Sequence, residues 1–233
     1  MHTIRFEHIT YDDIPHVQRA DLYQLRKITF KDRMKWKVNV FGQYEFDQFD
    51  NHDTVYLVGR MGEQLLCSVR FIPTEKPYML DGPFRDFFNH PRVAKPTIVE
   101  SSRFFVDKER ARMLPKQSPQ PSLFLFLAMI NYGINENLES IITVVSKAMH
   151  RILKNSGWNF DVMEIGASEK NDPVYLLNLK IDGDSQKKLY NKILSTSLTQ
   201  GSTLDKWPME IVLNPEDSEI MSAKKSTEAQ YSC

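Results

Sequence analysis

Glu100 and Arg103 lie in Val99-Glu100-Ser101-Ser102-Arg103-Phe104-Phe105-Val106, a run whose β-branched and aromatic residues predict a buried strand. An unpaired carboxylate or guanidinium there costs several kcal/mol, so each charge must find a partner or face a polar cleft. Strand alternation puts residues 100, 102 and 104 on one face and 101, 103 and 105 on the other, so in a regular strand the two charges cannot meet. Either a bulge turns them to one side, as bulges do beside active sites, or each pairs elsewhere. Arg70 interrupts the apolar run Leu65 to Ile72 in the same way, and Glu45, Asp47 and Asp50 alternate with Phe46 and Phe49, rings able to tether an otherwise solvated loop. Arg26, Arg70 and Arg103 can then close one network with Asp47, Asp50 and Glu100, shifting their pKa values and leaving Glu100 able to accept a proton.

A second set, Arg26, Phe30, Arg33 and Trp36, places Arg26 and Phe30 four apart on one helix face. Core packing with solvated arginines is the plain interpretation; a lid offering aromatic faces and a guanidinium for a carboxylate is the functional one. Other chemistries lack their residues. Nine glycines form neither a P-loop nor a dinucleotide fingerprint, and there is no Gly-x-Ser-x-Gly elbow. Six histidines are scattered and the two cysteines, Cys67 and Cys233, make no metal-ligand spacing, so no metal is expected.

These side chains need a scaffold, and 233 residues can bury the core of a single domain. Helical spacing of Leu22, Leu25, Thr29 and Phe30 predicts a helix over 21–36. Residues 54–60 and 64–71 flank Met61-Gly62-Glu63 as an antiparallel hairpin. Five prolines and three phenylalanines over 73–96 predict an ordered excursion before a strand at 97–106. Pro121 opens a buried helix over 122–137; then come a strand at 141–145, a helix at 147–155 closed near Gly157, strands at 159–165 and 174–181, and a helix at 184–195. This order predicts an α/β (α+β) single domain with a mixed sheet flanked by helices over 1–214, and a disordered tail over 215–233. A formal charge of zero gives no global case for nucleic acid, and the apolar run Leu123 to Ile130 is too short for a membrane span. A charged N-terminus without a signal peptide and the sparse cysteines point to the cytoplasm.

Leu25-Arg26, Phe30, Arg33 and Trp36, then Glu45-x-Asp47-x-Phe49-Asp50, then Ser68-Val69-Arg70-Phe71 with Pro73-Thr74, then Glu100-Ser101-Ser102-Arg103-Phe104 resemble the ordered signature of LuxI-type acyl-homoserine lactone synthases. The match runs through Thr143-Val144-Val145-Ser146 to Gly157-Trp158, covering residues 20 to about 180. The resemblance implies a GNAT-like fold and transfer of an acyl chain from acyl carrier protein to the α-amine of S-adenosylmethionine. Lactone closure and release of methylthioadenosine complete the reaction. S-adenosylmethionine is a substrate, and no tightly bound cofactor is implied. Glu100 is then the base, directly or through water, with Arg103 beside it. Arg26, Phe30, Trp36, Asp47, Asp50, Arg70, Arg103 and Phe104 form the S-adenosylmethionine site, and Arg103 or Arg26 holds its carboxylate. Backbone N–H groups near Phe104 and Phe105 are expected to hold the oxyanion.

For the acyl chain the resemblance implies a pocket of Ser101, Phe104, Met129, Thr143, Val145, Met149 and Leu153. Threonine at 143 goes there with 3-oxo chains. An acidic carrier needs a basic dock, and Lys147, Arg151 and Lys154 recur at helical spacing; a solvated helix face is the plain alternative. Met34-Lys35 departs from the usual Leu-Gly before the tryptophan. Asp107-Lys108-Glu109-Arg110-Ala111-Arg112 replaces the Gly-rich pyrophosphate loop of ordinary CoA-dependent N-acetyltransferases, the rival enzymatic interpretation. A non-catalytic binding module for an acyl carrier or nucleoside is the other rival.

Overall fold

A computed structural model describes residues 2–89, 92–194 and 203–213. The strands are β1 (His2–Thr10), β2 (Val40–Phe41), β3 (Tyr44–Glu45), β4 (Val55–Met61), β5 (Gln64–Pro73), β6 (Ile98–Val106), β7 (Ser140–Ser146), β8 (Phe160–Ala167), β9 (Pro173–Lys180) and β10 (Met209–Leu213). The helices are α1 (His16–Arg26), α2 (Lys108–Ala111), α3 (Pro121–Asn135), α4 (Lys147–Ser156) and α5 (Gly183–Leu194). Eight strands form one mixed sheet in the order β10-β1-β4-β5-β6-β7-β9-β8; β2 and β3 make a small separate hairpin. Among the sheet's described pairings only β6 and β7 run parallel.

Each predicted strand and helix within the described residues is present, with shifted ends. α1 starts at His16, ahead of the expected Asp21, and its continuation Lys27–Arg33 widens into a π-helix. β1 and β10 were not expected. In β1 only Ile4 and Phe6 are fully buried; the strand exposes Arg5, which reaches Glu210 on β10 at 3.2 Å, so its apolar signal is short. Residue 195 of the last predicted helix and the tail expected over 215–233 lie outside the described residues. Among the described residues no helix is long and apolar enough to cross a membrane.

The sheet is covered on both faces. On one, Phe124, Phe126, Met129 and Ile130 of α3, Leu153 of α4 and Leu189 of α5 pack over Phe71, Ile141 and Leu177. Full burial of each such side chain contributes about 1.5–3 kcal/mol. On the other, α1 and its π-helical extension lay Leu22, Leu25 and Phe30 over Tyr56, Val58 and Phe105, and the 74–97 excursion packs Met79 and Leu80 over Ile72, Ile142 and Leu176. The excursion is pinned where Tyr78 donates to the Val93 carbonyl at 2.8 Å and where Gly166 meets Phe87. A Cβ on Gly166 would stand 1.9 Å from the Phe87 carbonyl oxygen, so the contact requires glycine.

Two irregularities in β6 create the site. Its pairing with β7 ends at Ser101 opposite Thr143, although β6 runs on to Val106 and β7 to Ser146, so the strands part and the sheet forks. On its other side the register with β5 shifts between Ser68 and Arg70, and Arg103 takes φ +54°, in the left-handed region that favours glycine. β6 is therefore bulged at Arg103, which turns Glu100 and Arg103 to one side as the first alternative has it, yet each also pairs elsewhere as the second has it: Glu100 with the Met79 and Leu80 N–H groups and Arg103 with Glu45 and Asp47. Ser102 and Arg103 both face the α1 side, and Phe104 turns to the α3 side, stacked on Phe126 at 5.0 Å.

Candidate active site

Beneath α1 and the loop after β3, three arginines and three carboxylates form a buried cluster. Arg26 donates from Nε to Glu45 Oε2 at 2.6 Å and clamps Asp50 with Nη1 at 2.7 Å and Nη2 at 3.0 Å. Arg70 clamps Asp47 at 2.6 and 3.1 Å, reaches Asp50 at 3.0 Å, and donates from Nε to Ser102 Oγ at 3.0 Å. Arg103 meets Glu45 from Nε at 3.0 Å and Asp47 from Nη2 at 2.7 Å. The loop holds its own shape: the Asp47 N–H donates to Asp50 Oδ2, the Phe49 N–H to Asp47 Oδ1, and Thr54 Oγ1 to the Phe49 carbonyl.

Glu100 stands apart from this network. The expected network had it among the arginine partners; its carboxylate instead accepts the backbone N–H groups of Met79 at 2.7 Å and Leu80 at 2.9 Å, and Glu45 takes its place in the cluster. Glu45 groups with the loop acids in the sequence but not with the expected network, because nothing local distinguishes a solvated glutamate from one that the β2–β3 hairpin turns inward. Met79 bridges the two parts, its Sδ 3.2 Å from Arg70 Nη2 and 3.8 Å from Arg103 Nη1.

The electrostatics separate the groups. Burial alone would raise Asp50, but Arg26 and Arg70 hold its carboxyl well below the usual carboxylate range, and Asp47 is lowered in the same way by Arg70 and Arg103. Burial would lower Arg26 and Arg70, and their carboxylates more than reverse it. Arg103 is different: burial and the neighbouring Arg70 and Arg26 lower it, and Glu45 and Asp47 only partly compensate. Its Nη1 has the Met79 sulfur at 3.8 Å, a weak acceptor, whereas every nitrogen of Arg26 meets a carboxylate. Of the two arginines expected to compete for a substrate carboxylate, Arg103 has the spare donor and Arg26 does not. Burial pushes Glu100 up to about 7 against the pull of the two N–H groups, which poises it to exchange a proton near neutrality.

The remaining residues fall in three places. Phe30 is buried with the Arg103 guanidinium 5.6 Å from its ring and Trp36, 43% exposed, stacked on it at 5.2 Å; Arg33 is exposed. Phe104 lies on the sheet's opposite face, so its side chain does not join Arg103 and Glu100 as expected for the S-adenosylmethionine site, and packs instead on the α3 side with residues of the expected acyl pocket. Ser101, Met129, Thr143, Val145 and Leu153 are buried and Met149 half-buried around the fork on the α3–α4 side, where Thr143 Oγ1 donates to the Ser101 carbonyl at 3.1 Å. Lys147, Arg151 and Lys154 are exposed on α4 and have no ion-pair partner among the described residues.

A helix-covered mixed sheet that forks between two parallel strands, with a bulge on the strand at the fork, is the arrangement of the GNAT-like acyltransferases. The sequence model of the autoinducer synthases matches residues 11–189. An acyl-homoserine-lactone synthase of Yersinia enterocolitica is 41% identical over 206 residues, which cover 88% of this chain and 96% of that protein. One of Enterobacter agglomerans is 43% identical over 208 residues, 89% of this chain and 96% of that one. The solved structure of a CoA-dependent acyl-homoserine lactone synthase, BjaI, with SAM and isopentyl-CoA aligns with a TM-score of 0.69 at 21% identity, covering 82% of this chain and 89% of that one, a likeness of fold. The chain belongs to the autoinducer synthase family, a family of acyltransferases.

Proposed function

We propose that the protein is an acyl-homoserine-lactone synthase that joins an acyl chain, carried as a thioester on acyl carrier protein, to the α-amine of S-adenosylmethionine. The amine gives a proton to Glu100, directly or through water, and its nitrogen attacks the thioester carbonyl; the C–N bond forms, the C–S bond breaks, and the carrier leaves as a thiolate that takes the proton back from Glu100 to become the thiol. The carboxylate oxygen then attacks the γ carbon, the carbon–sulfonium bond breaks, and methylthioadenosine departs with a quorum-sensing lactone formed. Both substrates are made inside the cell, so the reaction belongs in the cytoplasm. The observation that carries this reading is the under-compensated Arg103 with its spare donor, joined through Met79 to a Glu100 poised near neutrality, at the fork of β6 and β7. Arg103 binds the carboxylate, Phe30 and Trp36 cover the substrate, and Arg26, Arg70, Asp47 and Asp50 fix Arg103 in place. Beyond Ser101, β6 is free of β7, which supports backbone donation to the oxyanion near Phe104 and Phe105.

Two features favour a carrier protein over CoA as donor. After β6, where a GNAT enzyme binds pyrophosphate, Asp107 already accepts the Glu109 and Arg110 N–H groups at 2.7 and 3.2 Å and adds a negative charge. On α4 the exposed Lys147, Arg151 and Lys154 suit an acidic partner. Reversing charge at Arg151 and Lys154 together raises KM for the acyl carrier by about tenfold and leaves KM for S-adenosylmethionine unchanged. Steady-state kinetics with each substrate varied checks this; an unchanged carrier KM removes the dock.

We further assign a preference for 3-oxo chains. The Thr143 hydroxyl sits among apolar side chains at the fork, and its hydrogen can rotate from the Ser101 carbonyl to a 3-oxo oxygen. Thr143→Val is expected to cost about tenfold in kcat/KM with 3-oxo carriers and little with unsubstituted ones; equal losses on both contradict the preference. The whole reading is tested by mass spectrometry of lactones extracted from cells expressing the protein, where 3-oxo-acyl-homoserine lactones are expected and their complete absence counts against it.

A further inference from the structure

Tyr56 is buried, 1% exposed, and has no part in the reaction as described. On the sheet it pairs across strands with Arg70 of β5, and Arg70 pairs with Ser102 of β6, so three neighbouring strands present Tyr56, Arg70 and Ser102 in one row beneath the acidic loop. The Tyr56 hydroxyl lies 2.8 Å from Asp50 Oδ1 and 3.3 Å from the Tyr23 hydroxyl of α1. The direction of this chain is set by the charges. Asp50 is ionised and accepts only, so Tyr56 spends its one hydrogen on Asp50, and Tyr23 donates to Tyr56.

Asp50 is the most connected group of the cluster. Its two oxygens receive both Arg26 Nη atoms, Arg70 Nη1, the Asp47 N–H and the Tyr56 hydroxyl. Four of these donors belong to α1, the loop and an arginine whose side chain needs orienting; Tyr56 alone offers a short, stiff side chain on a central strand. We infer that Tyr56 is a positioning residue for the S-adenosylmethionine site: through Asp50 it fixes the loop and Arg70, hence Asp47, and so the direction of Arg103 toward the substrate carboxylate.

This rests on the proposed function, and the test separates the two. Wild type, Tyr56→Phe, Tyr23→Phe and Leu204→Ala are assayed for methylthioadenosine release with S-adenosylmethionine and acyl carrier varied in turn, and their melting temperatures are measured. Leu204 is buried in the segment before β10 and serves as a destabilised control. Tyr56→Phe keeps the ring and removes the hydroxyl, and KM for S-adenosylmethionine is expected to rise about five- to tenfold with the carrier KM unchanged. Tyr23→Phe, which removes only the donor behind Tyr56, shifts the same KM in the same direction by less, and remains informative if Tyr56→Phe does not fold. Leu204→Ala lowers the melting temperature without the KM split. An active wild type with no rise in that KM for either tyrosine variant, or an equal rise for both substrates, overturns the inference alone. A wild type that releases no methylthioadenosine overturns the proposed reaction and the inference with it.

Discussion

Glu100→Gln is expected to lower kcat by about 10²- to 10⁴-fold, the range of a positioned general base, while KM for S-adenosylmethionine changes by less than about threefold. The amide keeps the shape of the side chain but cannot take the amine's proton. It also retains one acceptor for the Met79 and Leu80 N–H groups, so the turn over the site loses one bond and not both. The pH dependence gives a second signature. Burial raises Glu100 to about 7, so the wild-type rate rises with pH through about 7 as the carboxylate forms, and this acid limb is missing from the residual activity of the variant. Stability moves the opposite way. Between the ordinary carboxylate value and about 7 the folded state keeps a proton that the unfolded chain has lost, so this group's contribution declines as pH rises through that window. Thermal melts of wild type and Glu100→Gln from pH 5 to pH 8 check the sign: the wild type loses stability relative to the variant as pH rises.

Arg26→Met and Arg103→Met are expected to fail in different ways. Arg26 is fully buried against Glu45 and Asp50, and losing one partner of a buried ion pair costs about 3–5 kcal/mol, a large share of the roughly 5–15 kcal/mol that holds a typical protein folded. For a chain of this length that corresponds to a fall in melting temperature of about 6–20 °C. Loss of Arg103 leaves Glu45 with Arg26 and Asp47 with Arg70, so the fold tolerates it better. Its cost appears in substrate binding, as a rise in KM for S-adenosylmethionine of about 10²-fold from the lost charge-assisted contact. Melting curves and kinetics of both variants decide the matter. A destabilised Arg103→Met beside a stable, weak-binding Arg26→Met would exchange the two roles.

How legible these features are in the sequence depends on the range of the interactions behind each. Strands such as β5 and β7 carry continuous apolar runs and are readable, whereas β1 fully buries only two residues, β10 is only five residues long, and the two pair across nearly the whole length of the chain. The charges inside β6 announce a polar site, and the strand's alternation names two geometries; choosing the bulge requires coordinates, because an arginine at φ +54° carries none of the glycine signal that marks such positions. Arg26, Arg70, Asp47 and Asp50 are identifiable as charges with no easy place in a core or on a tethered loop. Glu45 is identifiable with the same loop acids, but its place in the cluster is not, nor is the role of Tyr56, since these arise from a hairpin turned inward and from the β4–β5 register. Phe104 departs from its expected place in the S-adenosylmethionine site for the reason that decides Arg103: one extra residue at the bulge reverses the facing of the residues after it.

The central claim is amide formation on S-adenosylmethionine from a carrier-bound acyl group, with subsequent lactone closure. Its most direct test is the purified protein incubated with S-adenosylmethionine and either 3-oxo-acyl carrier protein or acetyl-CoA, with methylthioadenosine and acyl product both quantified. Equal amounts of methylthioadenosine and acyl-homoserine lactone from the carrier, with little product from acetyl-CoA, are expected. An amide product from acetyl-CoA and none from the carrier would contradict it.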